Sequence, residues 1–180
     1  SFSVTRIAYY MAQAKESVVV GLALSAGHDD LRGLSPLLWE SLVDDHKAEE
    51  RRVLAQCRAL VEQGDGDRLI IIPLWRPDPK LNLRQKYRAI SAQTYVSNKA
   101  PESNCNASLW IPQIEAAMLF IAHSVVDTTA RPEMMQRLQV LATKAQSTEY
   151  VEIEGSGHFY VGYQDQFIGA VTSWLDGLRT

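Results

Sequence analysis

His158 lies in "EGSGHFY", a glycine- and serine-rich turn that follows one apolar run and precedes another. Asp127 lies upstream in "HSVVDTTARPE", again directly after an apolar run. A carboxylate held against one ring nitrogen fixes the tautomer of an imidazole. The other nitrogen is then left as a general base. The residues between Asp127 and His158 are about what one helix and one strand consume. Both would therefore emerge on the same rim of a parallel sheet, where open α/β sheets gather their functional groups. Simpler roles also exist for each: a turn histidine can hydrogen-bond locally, and Asp127 can form a turn or cap ahead of the next helix.

Other chemistry-bearing groups are less suggestive. His28, Asp29 and Asp30 in "GHDD" are adjacent ligand types without a distant partner, which reads as a solvated loop and not a metal site. His123 ends an apolar stretch and reads as a packing or rim residue. Cys57 and Cys105 lack metal-site spacing and read as two free thiols in a reducing cytosol, with a single disulfide as the alternative. No metal or cofactor is implied.

The elements that must position these groups follow from periodicity. "VTRIAYYMAQAKE" (4–16) repeats its apolar residues at helical steps. "SVVVGLALSAG" (17–27) reads as a strand buried on both faces, and 35–63 as a helix opened by Pro36 and stopped by "GDG". "RLIIIPLW" (68–75) is a short strand, and a short helix is predicted around "LRQKYRAISAQTY". Then follow a strand at 116–124, a helix at 132–146, a strand at 149–155 and a helix at 164–178. This order predicts an α/β domain with a parallel sheet flanked by helices. Only three of its strands are convincing, so the chain reads as the second half of a larger sheet.

Composition sets the outer limits. The chain has 180 residues, 46% of them hydrophobic and 22% charged, which suits one soluble domain. A net charge of −3 offers no electrostatic footprint for nucleic acid or an anionic membrane. The longest apolar runs are too short for a bilayer, and a cytoplasmic protein is expected.

The segments "MLFIAHSVVDTTARPEMMQRL" and "YVEIEGSGHFYVGYQDQFIGAVTSWL" together resemble the C-terminal portion of an α/β-hydrolase. The resemblance implies Asp127 as triad acid, His158 as triad base, and residues 28–115 as a cap-like insert within one partial domain, 1–180. It also places Ser1, at the head of "SFSVTRIAYYMAQ", in the nucleophile position of the G-x-S-x-G elbow, with Ser3 where the last glycine would stand. Ser3 is the substitute if the register slips. The backbone N–H of Phe2 becomes an oxyanion donor. Trp39 and Trp75 in the insert and Phe159 after the histidine become candidate substrate-pocket residues.

The implied activity is hydrolysis of a carboxylic ester, thioester or lactone on a small acyl substrate, without cofactor, nucleic acid or membrane. The strand that feeds the elbow and the second oxyanion loop are expected from an N-terminal segment or a companion chain. An acyltransferase using the same triad reads identically. A non-catalytic hydrolase-like subunit or small-molecule binding protein is the non-enzymatic alternative. A self-processed hydrolase with an N-terminal nucleophile is disfavoured, because that class resembles stacked antiparallel sheets.

Overall fold

The structure, a computed structural model, describes residues 2–14, 18–30, 44–73, 87–125 and 131–178. In chain order the elements are α1 (Phe2–Ala14), β1 (Gly21–Ser25), α2 (Asp44–Glu62), β2 (Leu69–Pro73), β3 (Tyr87–Ser91), α3 (Ala92–Lys99), α4 (Ala107–Trp110), β4 (Ala117–His123), α5 (Pro132–Leu141), β5 (Thr148–Ile153) and α6 (Gln164–Gly177). They fold as two compact units, Ser1–Asp29 with Asn106–Thr180, and Asp30–Cys105.

The first unit is built on a parallel sheet in the order β1-β4-β5. β1 pairs with β4 from Gly21↔Ala117 to Ser25↔Ile121, and β4 pairs with β5 from Met118↔Thr148 to His123↔Ile153. The central strand "AMLFIAH" is buried at every position, as expected where helices cover both faces. Met118, Phe120 and Ala122 pack on one face with Val4, Ala8 and Met11 of α1 and Met135 and Leu138 of α5. Ala117, Leu119 and Ile121 pack on the other with Trp174 of α6 and Tyr160.

β1 departs from the sequence expectation. It is five residues long, and only Leu22 and Leu24 are buried in it. Val18 and Val20, expected inside the strand, are 81% and 71% exposed. The physical reason is position: β1 lies at the edge of the described sheet and packs firmly on one face only.

The second unit holds the antiparallel pair β2–β3, in register from Leu69↔Ser91 to Pro73↔Tyr87, and the helices α2 and α3. Its core is Val53, Cys57, Ile72, Ala92 and Tyr95. The helix expected around 83–95 is corrected here. Residues 87–91 form a strand, because the β-branched run at 69–73 needs a ladder partner. The helix starts only at Ala92, where the Ser91 hydroxyl accepts from the Thr94 N–H. Cys57 and Cys105 are both free thiols, and burial pushes the Cys57 thiol up. Among the described residues, no helix is long and apolar enough to cross a membrane.

Candidate active site

The loop after β5 is stitched to the end of β4. The Gly155 N–H donates to the Ser124 hydroxyl at 2.7 Å, and the Val125 N–H donates to the Ser156 carbonyl at 3.0 Å. The buried Ser156 hydroxyl donates back to the Ile153 carbonyl at 2.7 Å. Gly155 supplies the backbone that this turn demands, at φ 77°, a value that costs glycine nothing. These bonds anchor the root of the turn, and His158 projects from its tip.

The rings of Phe159 and His123 lie against the half-buried His158, and Tyr160 stands behind His123. Phe159 meets it edge-on, with centroids 4.9 Å apart. His123, at the end of β4 and 1% exposed, lies 5.4 Å from it. Tyr160 lies 6.4 Å from His123 and packs on Phe167 of α6 at 4.9 Å. The Tyr160 hydroxyl donates to the Ile121 carbonyl at 3.2 Å. Burial pushes that phenol up to about 12, and a backbone contact with Ala26 pulls weakly the other way.

His158 opens on a cavity of about 390 Å³ whose other walls are the first turns of α1 and the carboxyl end of β1. Ser3, Val4 and Ile7 line it from α1, Ala23 to Ser25 line it from β1, and Ala26 lines it just beyond that strand. The close approach of α1 depends on Gly27, where a Cβ would collide with the Val4 side chain. Two non-glycine residues with positive φ, Ala26 at 43° and Tyr160 at 52°, both line this cavity. Strain of this kind persists where the surrounding structure over-determines it, and it concentrates at functional sites.

The sequence-derived residues fare unevenly. His158 stands on the cavity wall, as does Phe159, which is 83% exposed. The Phe2 N–H lies in the opening turn of α1, where backbone donors have no helical acceptor. Ser3 faces the same cavity as His158. Ser1, Asp127, Trp39 and Trp75 lie outside the described residues. "GHDD" is corrected from a solvated loop: Asp29 is 1% exposed, and its carboxylate pairs with Arg137 of α5 at 3.5 Å. Its carbonyl accepts the Ser108 N–H, so the segment ties β1 to the helices beneath the sheet.

Sequence reasoning did not foresee the ring contact between His123 and His158, or the strained Ala26. His123 carried a usable signal, since it ends the strand that leads in sequence to Asp127. Ala26 carried none, because alanine gives no cue to left-handed backbone.

No protein-family model matches the sequence, and no curated protein matches it. Solved structures do match in fold. The structure of DcsB in complex with its substrate analogue superposes with a TM-score of 0.63 at 16% identity, over 99% of this chain and 62% of that one. The Paleococcus ferrophilus monoacylglycerol lipase superposes at 0.58 and 16% identity, over 97% of this chain and 65% of that one. The chain thus has the α/β-hydrolase-type fold and spans somewhat under two thirds of these neighbours' length, over their C-terminal portion.

Proposed function

We propose that this chain carries the nucleophile, acid and base of a serine hydrolase that cleaves a carboxylic ester, thioester or lactone. One observation carries the reading: the histidine after the last parallel strand opens on the same cavity as the start of α1. Ser1 immediately precedes that helix in sequence and Ser3 lines the cavity from it.

In the proposed reaction His158 takes the proton of the serine hydroxyl as its oxygen bonds to the substrate carbonyl carbon. The Phe2 N–H faces the resulting oxyanion. His158 then returns the proton to the leaving oxygen or sulfur as that bond breaks, and a water repeats the cycle on the acyl-enzyme. Asp127 orients the imidazole and stabilises its charged form.

The outer edge of β1, with Val18 and Val20 exposed beside it, suits one more strand. That strand and the second oxyanion donor come from an N-terminal segment or a companion chain. Fluorophosphonate labelling with peptide mapping tests the whole reading. Label on Ser1 supports it, label on Ser3 moves the nucleophile by two residues, and no label leaves the non-catalytic binding protein.

A further inference from the structure

The end of β4 holds the histidine turn through three consecutive residues. Ser124 and Val125 take its root, by the bonds from the Gly155 N–H to the Ser124 hydroxyl and from the Val125 N–H to the Ser156 carbonyl. His123 takes its tip, with its ring centroid 5.4 Å from that of His158 and the two planes tilted by 55°. The root bonds end at Ser156, and beyond its chain neighbours nothing stands within 4 Å of where a Cβ on the intervening Gly157 would lie. The backbone of the turn therefore leaves the His158 side chain its own χ1 and χ2. Phe159 and His123 both lie against that ring, on unlike supports. Phe159 is 83% exposed, so it can turn with little loss of packing. His123 is a platform: it is 1% exposed, closes a wholly buried strand and is backed by Tyr160, whose hydroxyl is bonded to the Ile121 carbonyl.

We infer that His123 is a positioning residue, whose ring, held by β4, sets the plane of the His158 imidazole. The inference rests on the hydrolase reading for what that imidazole must face. In that reading Asp127 holds one ring nitrogen. A single hydrogen bond leaves the ring free to swing about it, whereas proton transfer needs the second nitrogen within hydrogen-bond reach of the serine on α1. A ring packed against the imidazole removes that freedom, provided the packed ring does not itself move. His123 meets the condition and Phe159 does not. The tie is ring against ring, so it needs a flat side chain at position 123 more than it needs a nitrogen there. It acts on the proton transfer and not on substrate binding, since the described lining of the cavity includes His158 and not His123.

The test compares three variants of the whole natural protein, each assayed below its own unfolding midpoint. His123→Ala removes the ring, His123→Leu fills the space without a ring, and His123→Phe keeps a flat ring. His123→Ala is expected to lower kcat for p-nitrophenyl acetate by about 10²-fold, the order that a misplaced catalytic group costs, with KM unchanged. His123→Phe is expected to recover most of that loss and His123→Leu less of it. The Hα–Hβ couplings of His158, read by NMR, require no catalysis: they differ for a side chain held in one rotamer and converge for one that rotates. They are expected to differ in the wild type and in His123→Phe, and to converge in His123→Ala. Unchanged kcat and couplings in His123→Ala, or equal recovery by His123→Leu and His123→Phe, overturn the inference. Couplings that converge in His123→Ala, in a protein that cleaves no ester, keep His123 as the platform of His158 and overturn the hydrolase reading instead.

Discussion

At the end of β4, His123 is 1% exposed, paired in register with Ile153, and closes a strand with no exposed position. Beside it, the chain leaving β5 runs through Gly155, Gly157 and Gly162 and carries Phe159 and Val161 largely into solvent. The two histidines lie 5.4 Å apart on these unlike supports. Rings of the same type thus have different freedoms, because one belongs to a central strand and the other to the turn beyond its neighbour. A packed strand end and a glycine-bearing turn thus bring two histidines together at the sheet rim, where open α/β sheets gather functional groups.

Breaking the turn's chemistry should have the largest effect. His158→Ala is expected to lower kcat/KM for an activated ester by about 10⁴-fold or more, with far-UV circular dichroism and the unfolding midpoint little changed. Activity within tenfold of wild type would sink the assignment of the base. The matching test on the platform is Phe120→Ala, in the middle of β4 and fully buried. It should cost about 3–5 kcal/mol of stability by denaturant unfolding, and a cost below about 1 kcal/mol would deny β4 its role as the packed centre.

The join between the two regions comes next. Gly155 combines a φ of 77° with a position where a Cβ would collide with the Tyr163 hydroxyl. Gly155→Ala should therefore cost about 1–3 kcal/mol and also lower kcat, because the bond from Gly155 to Ser124 registers the turn against β4. Lost stability with unchanged kcat would show that the turn finds its place without that bond.

What the sequence revealed divides along the same line. The continuous apolar run at 116–124 announced a strand and the pattern at 164–178 announced a helix, because burial on a regular element leaves a trace in the sequence. The pair β2–β3 was half hidden: Tyr87–Ser91 has a pattern that helix and strand share, and only pairing with Leu69–Pro73 decides between them. β1 misled in the opposite sense, since its apolar residues do not say which face the rest of the sheet covers. The small-residue turn drew attention to His158, which lines the cavity. The burial of Asp29 was not legible, because its partner Arg137 is distant in sequence and on another element.

The smallest expected effect probes the residue that touches both regions. Tyr160→Phe removes the bond to the Ile121 carbonyl, which still accepts the Ala26 N–H at 3.1 Å. A loss of about 1 kcal/mol at pH 8 is therefore expected. The same substitution has a second, pH-dependent signature. Burial raises the Tyr160 phenol from 10.0 to about 12 in the folded state. The unfolded chain thus releases that proton first, and the wild-type protein loses stability as pH rises from about 10 towards 12. Tyr150, also pushed up to about 12 by burial and by its bond to Glu152, gives both proteins the same additional slope. The difference between them isolates Tyr160: its deficit at pH 8 should shrink across that window. A deficit that stays constant from pH 8 to 12 would mean that the Tyr160 hydroxyl is not held between the platform and the turn.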